Sequence, residues 1–304
     1  MNLTCAISIA THNRLEELRR TLGIIAGLVP PPDEVLVCAD GCEDGTAQYV
    51  REHFPQAKLI EHPRPHGSIR SRIELMHAAS SDIVISLDDD SHPLDSDFIA
   101  RVRELFATRP HVAVGSFAQR SDEFPESLSR QDFGRSRYTG NYVNAAAAFR
   151  RSVYLQLEGW PPEFEHMYDE PDYTLQCLAA HYAVYHDTGI FIRHHFSNVK
   201  RNEIRNHQRH ARNEQWSVWR RCPFPAVVGV SLCRALAHFN YARKRGWTWL
   251  VQEPRWWIMA LGGLPAALRK RRPVAARTYR QWMQLTRHPM ETAEEWEAAF
   301  GRDR

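Results

Sequence analysis

Four short apolar runs, at residues 5–10, 34–39, 58–61 and 83–87, are each separated from the next by one segment of helical period. This alternation restricts the possible folds more than any other feature of the chain. The first spacer carries Leu15, Leu18, Leu22 and Ile25 on one face, the second Ala47, Val50 and Phe54, and the third spans 68–79. Strands alternating with helices predict a parallel sheet with helices on both faces. Ligands of such sheets bind beyond the carboxyl ends of the strands. Thr11, His12, Arg14, Asp40 and the triplet Asp88, Asp89 and Asp90 all fall at those ends.

The triplet follows a β-branched run, Ile83-Val84-Ile85-Ser86-Leu87, that reads as a buried strand. Three carboxylates at its tip repel one another and lose solvation, and a cation relieves both. Hard oxygen donors suit Mg2+ or Mn2+, which in turn hold phosphates. With Ser91, Pro93 and Asp95 the same residues also fit a solvated acidic turn. No GxGxxG or GxxxxGK[ST] cradle follows the first strand, so a diphosphate would be neutralised by a metal and by side chains such as Arg14 or Arg72. Arg70 reads as a solvated residue of a helix face.

A second acidic cluster, Asp169-Glu170-Pro171-Asp172, opens the helical pattern Tyr173-Thr174-Leu175-Gln176-Cys177-Leu178. Acidic residues around a proline in the first turn complement the helix dipole. One of them can do so while its neighbour faces a cleft and accepts a proton from a hydroxyl.

Charge divides the chain. Residues 1–199 hold 18 Lys/Arg against 28 Asp/Glu, and residues 200–304 hold 21 against 8. Eight of the nine tryptophans also lie in the last third, which points to two regions with different tasks. No run of about 18 apolar residues is present, so a spanning helix is not expected. The N-terminus shows no basic n-region or cleavage site. Six cysteines without CxxC spacing read as reduced thiols of a cytoplasmic protein.

In this order the elements resemble an inverting, bacterial-type glycosyltransferase of family 2 with the GT-A fold, over about residues 3–200. Ser8-Ile9-Ala10-Thr11-His12-Asn13-Arg14 is similar to the family's opening strand and Pro-Thr-Tyr-Asn-Arg loop. Asp40-Gly41-Cys42-Glu43-Asp44-Gly45-Thr46 resembles its Asp-Gly-Ser-x-Asp-Gly-Thr turn, and Gly67 through Arg72 its segment bearing an arginine near the nucleotide. Leu87-Asp88-Asp89-Asp90 resembles the DxD metal motif, and Asp169-Glu170-Pro171-Asp172 the Glu-Asp-x-Asp segment that supplies the base. Three departures are visible: Ala10 stands for a proline, Ala39 for an aspartate, and Gln176 for a common arginine. Asp169 and Glu170 are exchanged relative to the usual order.

The resemblance implies an α/β fold, Rossmann-like, with a mostly parallel sheet flanked by helices and a C-terminal helical region. Residues 1–205 would form the catalytic, nucleotide-sugar-binding domain, and 206–304 the basic, Trp-rich helical region. It implies transfer of a sugar from a nucleoside diphosphate to an acceptor hydroxyl. Thr11, His12, Arg14, Asp40, Arg72, Asp88 and Asp89 would hold the nucleotide sugar, with Asp88 or Asp89 at the ribose. Asp90, with Asp88, would hold Mn2+ or Mg2+. Glu170 or Asp169 would be the catalytic base. Trp160 is a candidate floor for the acceptor sugar, or else a core residue beside Pro161. His194 or His195 is positioned to ligate the metal, or to be satisfied by backbone.

Beyond residue 200 the pattern is helical, broken at Pro223 and Pro225. The apolar stretches 225–236 and 247–268 are flanked by Arg243-Lys244-Arg245 and Arg269-Lys270-Arg271-Arg272. Amphipathic segments of this kind fit peripheral contact with an anionic membrane, or a helical subdomain whose arginines face water. A glycan or lipid-linked acceptor at the inner face of the plasma membrane, in cell-surface polysaccharide or glycolipid synthesis, agrees with the first. No nucleic-acid motif is present, so nucleic acid is not an expected partner. Two rivals stand beside this reading: a catalytically inactive sugar- or lipid-binding protein on the same fold, and a sugar nucleotidyltransferase. The latter would require a glycine-bearing loop where Thr11 to Arg14 has none. Residues 117–142 read as an acceptor-side loop.

Overall fold

The computed structural model describes residues 3–196 and 202–301. The N-terminal part runs β1 (Cys5–Thr11), α1 (Leu15–Ile25), β2 (Glu34–Asp40), α2 (Thr46–His53), β3 (Lys58–His62), α3 (Ser68–Ala78) and β4 (Ile83–Asp88). It continues through β5 (Ser91–Pro93), α4 (Phe98–Thr108), β6 (Val112–Ser121), α5 (Glu126–Ser129), β7 (Arg137–Tyr138), β8 (Ala146–Arg150) and α6 (Arg151–Gln156). After α7 (Asp169–Ala179) and the long β9 (Ala183–His194) come six helices. These are α8 (Glu203–Arg221), α9 (Ala226–Arg245), α10 (Trp247–Leu250), α11 (Glu253–Arg269), α12 (Ala276–Arg287) and α13 (Ala293–Phe300).

The expected βαβ alternation produces one edge of a nine-stranded sheet, ordered β3-β2-β1-β4-β8-β6-β9-β5, with β7 also on β9. The first four strands are mutually parallel, and β8 runs against both β4 and β6. β5 and β7 are antiparallel to β9, which is itself parallel to β6. Six of the nine strands therefore run in one direction, with helices flanking the sheet as expected, although its pairings divide into four parallel and four antiparallel. Register aligns the strand ends: Ala10 pairs with Cys38 and with Asp88, and Asp40 pairs with His62. Parallel strands in register deliver their terminal polar residues to one edge.

Residues 117–142 are not a single loop. Phe117 and Ala118 are buried within β6 and pair with β9, and Tyr138 is buried in β7. Apolar residues of this spacing are drawn into the sheet by burial.

The C-terminal helices are not an appendage. Val218, Trp282 and Trp296 share one apolar core with Ile7, Leu18 and Ile85. The expected boundary at 205/206 falls inside the first turn of α8, and the core is continuous across it. Three of the eight tryptophans of this region are structural: Trp256, Trp282 and Trp296 are buried, and Trp282 Nε1 donates to the Gly140 carbonyl at 2.9 Å.

Asp172 clamps α8 to α7. Its carboxylate is fully buried and accepts from Ser217 Oγ at 2.7 Å and from Arg221 Nη2 at 3.1 Å, while Arg221 also reaches Glu158 at 2.7 Å. Removing one partner of such a pair leaves a buried charge, at a cost of about 3–5 kcal/mol. Arg221→Met is expected to destabilise the fold by that order in urea unfolding, and Arg221→Met with Asp172→Asn to recover part of it. A loss below about 1 kcal/mol in the single variant would show that Asp172 is otherwise satisfied.

Candidate active site

The triplet is the tight connection from β4 to β5: Asp88 ends one strand, Asp89 and Asp90 turn, and Ser91 begins the next. Ser91 Oγ secures the turn, accepting from the Asp88 amide at 2.8 Å and lying 3.0 Å from the Ala145 carbonyl. Alternation along the turn sends Asp88 and Asp90 one way and Asp89 the other. His194, the last residue of β9, pairs with Ser91, and its ring reaches across the turn to the same two aspartates. Its Nε2 lies 3.3 Å from Asp90 Oδ1 and 4.0 Å from Asp88 Oδ2.

One ligand atom from each of Asp88, Asp90 and His194 can lie within 4.8 Å of the others. Two carboxylates and one imidazole form a donor set suited to Mn2+. Burial disfavours a charge at Asp90, yet His194 and Arg14 hold its carboxyl below the usual carboxylate range, in the form a metal requires. His195 turns away: its Nε2 sits 3.1 Å from His92 Nε2, and its amide donates to the Asp90 carbonyl at 2.8 Å.

The second cluster occupies the first turn of α7. Tyr168, in left-handed conformation at φ 69°, turns the chain into it. Asn144 Nδ2 donates to Asp169 Oδ2 at 2.5 Å, so Asp169 is buried and fixed, while Glu170 is half-buried. Burial and then the adjacent Asp169 carboxylate push Glu170 well above the usual range. Burial also raises Asp169, with Arg72 opposing. Arg72, from α3, pairs with Asp88 Oδ1 and stays charged against burial through Asp88, Asp169 and Glu170. One cation thus serves both acidic clusters.

These groups line a cleft of about 890 Å3 whose wall includes His12, Asp40, Arg72, Asp88, Glu170 and His194. At its far end Asp40 is tied to the loop that follows β3. Its Oδ1 accepts from the His66 amide and His62 Nδ1, both at 2.8 Å, and its Oδ2 from the Gly67 amide at 2.9 Å. Despite burial, these donors hold Asp40 low. His62 Nε2 also meets Glu74 at 2.7 Å, and Asp40 and Glu74 together raise His62 against the effect of burial. Gly41 permits this approach: at φ +67° its backbone passes so near Pro65 that a Cβ would lie 2.5 Å from the Pro65 nitrogen.

Four sequence candidates lie elsewhere than expected. Thr11 donates to Asp89 Oδ2 at 2.7 Å beneath the triplet, and both are buried. Arg14 commits its guanidinium to Asp90 at 2.6 Å and Asp89 at 3.3 Å. Asp89 therefore does not reach a ribose, and burial raises it to about 7. Trp160 does not floor the cleft: it is buried among Tyr142, Phe149, Tyr154 and Tyr173, with Nε1 donating to Tyr142 at 2.8 Å. A large aromatic gains more from that core than from a wet rim. His62 and Asn144 were missed. The strand-end rule could have found His62, in register with Asp40, whereas no local pattern marks Asn144.

The sequence model described as "Glycosyl transferase family 2" matches residues 6–188. No curated protein matches the chain. Among solved structures, the mannosyltransferase PcManGT from Pyrobaculum calidifontis, in complex with GDP-Man and Mn2+, is 19% identical and matches with a TM-score of 0.58. That alignment covers 87% of this chain and 88% of PcManGT. TarS 1–349 from S. aureus, in complex with UDP, is 16% identical with a TM-score of 0.61, over 88% of this chain and 81% of that one. These likenesses show a GT-A fold. With the family match spanning well over half of its length, the chain belongs to glycosyl transferase family 2.

Proposed function

We propose that this enzyme transfers a sugar from a nucleoside diphosphate to an acceptor hydroxyl with inversion at the anomeric carbon, using a divalent cation. The observation that carries the reading is one cleft lined by Asp88 and His194, behind which Asp90 completes a metal-type trio, and by the acid pair Asp169 and Glu170. Similar folds solved with GDP-Man and Mn2+ and with UDP support the donor class. Asp88, Asp90 and His194 would hold Mn2+ or Mg2+, whose positive charge would offset the negative charge developing on the leaving diphosphate. Arg72 adds a fixed cation beside them. His12 and Asp40 line the nucleoside end, where the Asp40–His62 contact orders the wall. Glu170 takes the proton from the attacking hydroxyl, while Asn144 keeps Asp169 in place beside it.

A second hollow, of about 620 Å3, shares Glu123, Met167 and Asn206 with the cleft and offers the rings of Tyr241 and Trp249. We assign the acceptor, a glycan or lipid-linked sugar in cell-surface polysaccharide or glycolipid synthesis, to this side. The strongly basic C-terminal third supports work in the cytoplasm at the inner face of the plasma membrane. Losing one stacking ring costs about 1 kcal/mol, so Trp249→Ala should raise the acceptor KM about fivefold to tenfold. Donor hydrolysis should stay unchanged, and an unchanged KM would move the acceptor elsewhere.

The deciding experiment measures nucleoside diphosphate release from a panel of nucleotide sugars, with and without Mn2+ or Mg2+. Metal-dependent release from one donor supports transfer. Absence of both release and metal-dependent nucleotide binding would favour a binding protein on the same fold.

A further inference from the structure

We propose that α9 and α11 together form a face that seats on an anionic lipid bilayer. Val228, Leu232 and Leu236 recur every four residues along α9 and are 48%, 62% and 61% exposed. On α11, Ile258 and Leu261 are 70% and 68% exposed, beside the partly exposed Trp257. Phe239 and Trp257, with ring centroids 6.5 Å apart, join the two helices into one surface.

Neither helix can turn this surface inwards. The opposite side of α9, through Arg234, His238 and Tyr241, lines the second hollow. The other side of α11 is locked against α8: Trp256 is buried, Trp216 Nε1 donates to the Ala260 carbonyl at 3.0 Å, and Trp216 packs directly on Gly263. Single exposed apolar residues are ordinary, but a two-helix patch calls for a partner. Among the described residues no helix is long and apolar enough to cross a membrane, so the patch suits a surface contact.

Charge selects the partner. Residues 223–290 hold twelve Lys/Arg and one acidic residue, a balance of +11 (12 − 1), and that acid, Glu253, is buried. Arg243 falls on the apolar stripe of α9, seven residues after Leu236, and Arg243, Lys244 and Arg269 are exposed. Among the described residues, none of the three makes an ion pair. A second copy of the chain would bring two such surfaces together and repel, whereas anionic headgroups neutralise them. The face lies apart from the cleft, so its behaviour towards vesicles is read without turnover.

The test is co-sedimentation of the full chain with phosphatidylglycerol/phosphatidylcholine vesicles and with phosphatidylcholine alone. Binding should be at least about tenfold tighter to the anionic vesicles, each nearby cation contributing about fivefold, and should weaken at high salt. Leu232→Glu with Leu261→Glu should lower it at least about tenfold while circular dichroism and nucleoside diphosphate release are unchanged. Lys244→Glu with Arg269→Glu should remove most of the preference for anionic lipid. No binding by the parent chain, or full binding by the Leu232/Leu261 variant, overturns the assignment. So does a dimer in vesicle-free solution that the same variant dissociates and that does not bind vesicles. Failure of nucleoside diphosphate release in every form would count against sugar transfer, and the vesicle result would still decide this face.

Discussion

Glu170→Gln should lower turnover about 10²–10⁴-fold while leaving nucleotide-sugar binding within about twofold. The amide keeps the shape of the side chain and cannot accept the proton of an attacking hydroxyl. It also relieves repulsion with Asp169, so the thermal midpoint should hold or rise. The parent enzyme should show the matching pH dependence. Burial and Asp169 push Glu170 well up, so the base form is depleted at low pH and kcat/KM should climb as pH rises through a value above the ordinary carboxylate range. A variant that turns over like its parent would remove Glu170 from the reaction. Loss in Asp169→Asn with retention in Glu170→Gln would transfer the role to Asp169.

Asp90→Asn should abolish metal-dependent nucleoside diphosphate release, by about 10³-fold, because metal charge stabilisation is worth several kcal/mol. Metal-dependent nucleotide binding, measured by titration calorimetry with Mn2+, should vanish with it. Asp89→Asn supplies the contrast. Asp89 is buried against Thr11 and raised to about 7, so a neutral amide changes little there and metal dependence should survive. Equal losses in both variants would mean that the triplet acts as a structural unit under Arg14 rather than as a ligand set.

Much of the fold was legible because its signals are local. The β-branched runs, their helical spacers and the polar residues at their ends are read from a few neighbours each, and all four expected strands lie in the first half of the sheet. The acidic first turn of α7 was legible for the same reason. Less could be read beyond residue 110, where β6, β8 and β9 pair across long separations and β9 shifts register against β6 between Phe117 and Ala118. The charge division marked the C-terminal third as different, yet its composition resembles that of a loose amphipathic segment. Only packing shows Val218, Trp282 and Trp296 completing the core of the sheet.

By itself the sequence determined which chemistry gathers at one sheet edge, since consecutive parallel strands must end together and the residues that follow them are polar. Tertiary structure decided which of those side chains meet. In a turn or strand one residue reverses the direction of the next, so Asp88 and Asp90 join His194 while Asp89 drops beneath them onto Thr11. The same parity sends His195 to His92, and the pull of an aromatic core takes Trp160 from the rim. Asn144 reaches Asp169, and His62 reaches Asp40, across 25 and 22 residues. No local pattern marks Asn144, and only the strand-end rule marks His62, because the contacts themselves depend on how the sheet and the helices close on one another.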